Sequence, residues 1–95
     1  MNVELSEEAE AHVLEIDAWW RDNRQAEDLF TDELEVTLAA LGETPTLGTK
    51  YECGRPGVQR LLLPRTHYHL YFVRDPNRVY VLAIWSAFRG RGPRL

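Results

Sequence analysis

The amino-acid sequence predicts an α+β fold in the order β-α-α-β-β-β, with an N-terminal strand and a helical hairpin packed on a small antiparallel or mixed sheet. Three observations predict it. Two stretches with apolar residues at helical spacing fill the first half, three stretches of strand-like alternation fill the second, and a run rich in Gly and Pro separates them. Ninety-five residues suffice for one core, so residues 1–95 are expected to form a single domain.

Val3-Glu4-Leu5 alternates as a short strand does. Ser6 follows as an N-cap whose hydroxyl can accept from an amide of the next turn, and Glu7 and Glu8 sit favourably against the helix dipole. Ala9, Val13, Ile16 and Trp20 then line one helical face, flanked by His12 and Trp19. Asp22-Asn23-Arg24 interrupts the pattern, and Ala26, Phe30, Leu34, Leu38 and Leu41 form a second stripe, which Gly42 is expected to end as a left-handed C′ residue. Helices joined by so short a connection should lie roughly antiparallel, with a shared apolar side that needs a cover.

Pro45, Gly48, Gly54, Pro56 and Gly57 mark residues 43–57 as a surface loop. Strands are expected over residues 58–63, 67–74 and 78–85, joined as a meander by Pro64-Arg65-Thr66 and Asp75-Pro76-Asn77. In the last strand Val79, Val81 and Ala83 alternate with Tyr80, Leu82 and Ile84. Both faces are apolar, which places that strand inside the sheet. In the first of the three, Arg60 shares a face with Val58 and Leu62.

The formal charge of -4 conceals a division of the chain. Residues 1–43 carry thirteen carboxylates and two arginines, a net of 2 - 13 = -11, whereas residues 44–95 carry nine Lys or Arg against Glu52 and Asp75, a net of 9 - 2 = +7. Either the molecule presents one negative and one positive region, the latter steering anionic partners, or the two halves pair and leave a mixed surface. The only cysteine, Cys53, excludes an internal disulfide and a cysteine-based zinc cluster. The N-terminus lacks the pattern of a signal peptide and no window of about 18 apolar residues occurs, so a cytoplasmic protein without a membrane span is expected.

Little in the sequence points to catalysis. His67-Tyr68-His69 sets two imidazoles on one face of a strand, a chelating spacing, yet only Glu52, Cys53 and Asp75 are at hand as a third ligand, so no metal and no cofactor are expected. Ser86 lies past a strand end without a Gly-x-Ser-x-Gly elbow, and there is no phosphate-cradling Gly-x-x-x-x-Gly-Lys run. The arginines are the stronger signal: Arg55, Arg60 and Arg65 about the first meander strand, and Arg89, Arg91 and Arg94 in a glycine-rich tail. Guanidinium forks suit phosphate or carboxylate, and Tyr68, Tyr71 and Tyr80 can stack beside them; a solubilising tail is the alternative.

The element order, with Pro45-x-x-Gly48 in the loop, resembles the RelE/ParE superfamily of toxins from type II toxin-antitoxin modules over nearly the whole chain. The most specific parts are Leu61-Leu62-Leu63-Pro64, Tyr68-His69-Leu70-Tyr71-Phe72, and Val81-Leu82-Ala83-Ile84-Trp85-x-x-x-Arg89-Gly90-x-x-Pro93, which look like the ParE branch more than the RelE branch. RelE-type members are ribosome-dependent mRNA endonucleases that use basic residues and a C-terminal tyrosine. Here Arg60 and Arg89 match basic positions of that kit, Leu62 takes another, His69 stands where the family has an arginine, and the tyrosine is missing. ParE-type members instead poison DNA gyrase by binding it. Many carry a histidine where this chain has Ser86.

The resemblance therefore implies a ParE-like toxin whose target-binding residues are Arg60, Arg65, His69, Trp85, Arg89 and Arg91, with Arg60, His69 and Arg89 as the catalytic set if it is a nuclease. It also implies a cognate antitoxin whose disordered segment folds on the toxin in a hetero-oligomer, with Trp19, Trp20 and Leu62 as apolar anchors. Operator DNA would be reached only through that antitoxin. A non-toxic member that merely binds its antitoxin is the third possibility.

Overall fold

Ser6 is the joint from which the fold is built. Its Oγ accepts from Ala9 N at 3.0 Å and so starts the first helix, as the capping pattern implies. The computed structural model describes residues 1–95 as β1 (Asn2–Leu5), α1 (Glu7–Asn23), α2 (Leu29–Glu43), β2 (Thr49–Lys50), β3 (Gln59–Leu63), β4 (Tyr68–Arg74) and β5 (Arg78–Ser86). The strands form one sheet in the order β1-β5-β4-β3-β2, in which β1 runs parallel to β5 and the other neighbours are antiparallel. β5 thus lies inside the sheet, as its doubly apolar pattern requires.

Both helices pack on one face of the sheet. Phe30 and Leu41 from α2 and Ala9 from α1 meet Leu63, Leu70, Phe72, Val79 and Val81, all of them fully or almost fully buried. Trp20 closes the end of this core, and its Nε1 donates to Tyr68 Oη at 3.1 Å. On the opposite, open face a smaller cluster of Val58, Tyr71, Leu82 and Ala83 is covered by Tyr51, Tyr80, Trp85 and the C-terminal Leu95. No helix is long and apolar enough to cross a membrane.

Several expectations need correction. α2 begins at Leu29, so Ala26 belongs to the connection between the helices, where Arg21 pairs with Asp17, Glu27 and Asp28. Gly42 does not end α2 in a left-handed conformation. It lies within the helix, which is closed by Thr44 N donating to Ala40 O, and its missing side chain serves a close approach: a Cβ there would stand 2.8 Å from Met1 O. The expected loop contains the two-residue β2. His67 stands outside β4 with a φ of 64°, so the two imidazoles do not share a strand face. No group of three or more His, Cys, Asp or Glu residues is arranged to hold a metal ion.

The apolar alternation of β5 is also broken. Tyr71 pairs with Ala83 and Phe72 with Val81, so Leu82 is an extra residue, a β-bulge. Beyond it the phase flips, which turns Ala83 to the open face and Ile84 to the helical core. The backbone groups freed on this side of β5 are taken up by α1 and its cap. Ser6 N donates to Val81 O at 2.9 Å, Ser6 Oγ donates to Leu82 O at 3.0 Å, and Ile84 N donates to His12 Nδ1 at 3.2 Å.

Candidate target-binding face

The open face is organised by strand register. Leu62 on β3 lies opposite His69 on β4, which lies opposite Trp85 on β5; one pair further along, Arg60 lies opposite Tyr71, and Tyr71 opposite Ala83. Alternation along each strand sends all of these side chains to the side away from the helices. With strands about 4.8 Å apart and about 3.3 Å per residue along them, the Cα atoms of Arg60 and Trp85 are roughly 12 Å apart.

Arg60 is held over an aromatic pair. Its guanidinium carbon stands 5.0 Å from the ring centre of Tyr51, and Tyr51 meets Tyr71 edge to face at 4.9 Å. Tyr71 is 2% exposed, and burial pushes its hydroxyl above the ordinary tyrosine range while the nearby Arg60 cation partly opposes the rise. His69 is shifted the other way. Burial, and secondly the charge of Arg60, hold its pKa below 6.5, so the ring is neutral at neutral pH.

At the other corner of the face the guanidinium of Arg89 lies 4.3 Å above the indole of Trp85, and Trp85 Nε1 donates to Arg91 O at 2.8 Å. The chain after β5 then turns back over the sheet. Gly92 packs on Tyr51, Pro93 is buried, and Leu95 joins the open-face cluster. Arg60, His69, Trp85, Arg89 and Arg91 are therefore gathered along one face. Arg65 sits apart in the exposed turn between β3 and β4, fixed by its backbone: Arg65 N donates to Glu33 Oε2 at 2.7 Å, and Thr66 N and Oγ1 donate to Glu33 Oε1.

The three apolar residues expected to anchor a partner are not equivalent. Leu62 is 42% exposed on the open face and Trp19 is 45% exposed at the end of α1, whereas Trp20 is 8% exposed and belongs mainly to the core. Trp19 and the edge of Trp20 border a groove of about 490 Å³ that continues past Ser86 to Trp85 and Arg89. Sequence reasoning missed Tyr51 and Glu33. Tyr51 falls in the expected loop and Glu33 in an acidic helix, and no periodicity marks either one.

The charge division persists in three dimensions. Arg21 pairs within the acidic half, Lys50 with Glu52 and Arg78 with Asp75 within the basic half, and Arg78–Glu4 at 3.2 Å is the one ion pair that joins them. Ion pairing across the division is limited to this one contact, and most of the negative charge stays on the helices, away from the open face.

Two helices on one face of a five-stranded mixed sheet form an architecture that this chain shares with solved toxins of type II toxin-antitoxin systems. A chain of the chromosomal ParDE toxin-antitoxin system from P. aeruginosa superposes with a TM-score of 0.73 at 18% identity, over 90% of this chain and 95% of that one. The isolated RelE toxin of E. coli gives 0.61 at 20% identity, over 95% of this chain and 87% of its own. A chain of the intact E. coli RelBE toxin-antitoxin complex gives 0.61 at 20% identity, over 93% and 98%. No curated protein matches the sequence. The model of the ParE toxin of the parDE type II toxin-antitoxin system matches residues 3–89, and the chain belongs to that family.

Proposed function

We propose that this protein is a ParE-like toxin that inhibits DNA gyrase by binding it, without hydrolytic chemistry of its own, and is held inactive in the cytoplasm by a cognate antitoxin. The observation that carries this reading is the match of residues 3–89 to the ParE toxin family. The chemistry of the open face supports it. Cleavage of RNA by general acid-base catalysis needs a proton acceptor and a proton donor at the scissile phosphate. His69, neutral at neutral pH, is an acceptor; Tyr71 is buried with its hydroxyl pushed upward, and Leu62 beside His69 offers no proton at all. Such a face suits binding through arginine forks better than proton transfer.

The antitoxin would meet the exposed Trp19 and Leu62, and its acidic groups the unpaired arginines. Induced expression without the antitoxin is expected to cause DNA damage and to accumulate cleaved gyrase-DNA complexes. Intact DNA together with mRNA cut at ribosomes would overturn this reading, and so would unimpaired growth.

The gathering of Arg60, His69 and Arg89 on one face favours, as a second reading, a RelE-like endonuclease. In that case Arg60→Ala or His69→Ala abolishes cleavage in an isolated ribosome assay while antitoxin binding survives.

A further inference from the structure

Most of the basic half has no carboxylate partner. The ion pairs of the molecule belong to Arg21, Lys50 and Arg78, and Arg74 is turned onto the carbonyls of Leu41, Thr44 and Leu47. Arg89, Arg91 and Arg94 are exposed and unpaired, and they line an open hollow of about 450 Å³ with Trp85, Gly90 and Gly92.

These three cations are not on a free tail. Arg89 rests on the indole of Trp85 at 4.3 Å, and the carbonyl of Arg91 accepts from the same indole at 2.8 Å. A Cβ on Gly92 would lie 2.5 Å from the hydroxyl of Tyr51, Pro93 is buried, and Leu95 packs into the open-face cluster. The segment is thus pinned between and beyond the arginines, and presenting them to a ligand costs little further ordering. Arg94 also shares a neighbouring hollow with Arg55, where Glu8 is the one acidic side chain.

Guanidinium groups held side by side match phosphate oxygens. Binding of single strands relies on aromatic faces on which successive bases stack, and Trp85, the one aromatic residue lining this hollow, has one indole face taken by Arg89. Contacts to phosphate without contacts to bases are the way a protein holds duplex DNA irrespective of sequence. Most carboxylates of the acidic half lie on the helices across the sheet and disfavour a polyanion there; Glu8 and Glu15 of α1 come nearest, lining hollows that Arg94 and Arg89 share.

We propose that Arg89, Arg91 and Arg94 form a phosphate cradle for duplex DNA, by which the toxin touches the DNA of a gyrase-DNA complex as well as gyrase itself. The cradle's biological setting rests on the gyrase reading given above; its chemistry does not. The test is fluorescence anisotropy of a short mixed-sequence duplex titrated with the purified full chain across a salt series. Three phosphate contacts give a slope of log K against log salt of about -2.7, a loss of roughly forty-fold in affinity between 50 and 200 mM salt.

The triple variant Arg89→Ala, Arg91→Ala, Arg94→Ala is expected to abolish binding at an unchanged melting temperature, and the triple lysine variant to retain it. Should the triple alanine chain fail to fold, Arg91→Ala alone, which removes no stacking contact, is expected to reduce the slope by about 0.9. Absence of duplex binding at the lowest salt, an unchanged slope in the variants, or tighter binding of single-stranded RNA of the same length would overturn the cradle. Gyrase cleavage complexes are measured in parallel. Their accumulation without duplex binding removes only the cradle, and duplex binding without them removes only the gyrase reading.

Discussion

Replacing Arg60 by Gln is expected to raise the pKa of His69 yet leave it below 6.5, because burial is the larger cause of its depression and the Arg60 cation the smaller. An NMR titration of the His69 ring reads this directly; a value of 6.5 or more in the variant would show that charge, not burial, controls the ring. The same depression has a consequence for stability. With a folded-state pKa below the unfolded one, the unfolded chain binds the proton more readily, so the contribution of His69 is intact above about 6.5 and is lost as the pH falls through that value toward the folded-state pKa. His69→Gln is therefore expected to flatten the fall in Tm over this acid window and to leave Tm above neutrality with no added pH dependence. A thermal melt series in matched buffers tests it, and an unchanged slope would count against a depressed ring. Glu33 is a second single residue with a large expected effect. Its carboxylate takes three hydrogen bonds from Arg65 and Thr66 at 8% exposure, so Glu33→Ala should cost about 2–4 kcal/mol in urea unfolding. The exposed Glu35→Ala should cost no more than about 0.5 kcal/mol.

Between elements, Ser6 does the work of three. It ends β1, caps α1 and bonds two carbonyls of β5 around the bulge. Ser6→Ala leaves Leu82 O and Ala9 N without their partner in a buried place, so a loss of about 1–3 kcal/mol is expected in urea unfolding, with faster amide exchange at the start of α1 and along the end of β5. Protection unchanged at β5 would show that the bulge holds itself. The cap was legible in the sequence because a serine before two glutamates and an apolar stripe has one local meaning. The bulge was not. Val79 through Ile84 are apolar at every position, and a pattern with no polar residue carries no phase, so nothing distinguishes Ala83-in from Ala83-out. Gly42 misled for a related reason: a glycine near a helix end reads as a left-handed cap, and the approach of Met1 that requires it comes from the far end of the chain. His67 in a left-handed turn, and β2 with only two residues, likewise rest on contacts with segments distant in sequence. Of the candidate face, alternation alone placed Arg60 beside Leu62, whereas its union with His69, Trp85 and Arg89 needed the register between strands.

Over the whole molecule, the -11 and +7 halves of the sequence become two sides of the fold, because one half forms the helices and the other the sheet they cover on a single face. With Arg78–Glu4 as the only ion pair between them, the fields of the two sides are little neutralised by one another. Net charge then misrepresents how the protein behaves at a surface. At pH 7 and low ionic strength the chain, although -4 overall with an isoelectric point near 5.3, is expected to be retained by a strong cation exchanger through its basic side. The variant with Arg60, Arg65 and Arg89 all changed to Gln should pass through such a column, while binding an anion exchanger more tightly than the wild type. If the wild type also passes unretained, its positive charges are too dispersed to act together, and steering of an acidic antitoxin segment or of DNA toward the open face loses its physical basis. Retention lost in the variant would place that steering on the same arginines that the target is proposed to use, which makes occupation of this face by the antitoxin sufficient for neutralisation.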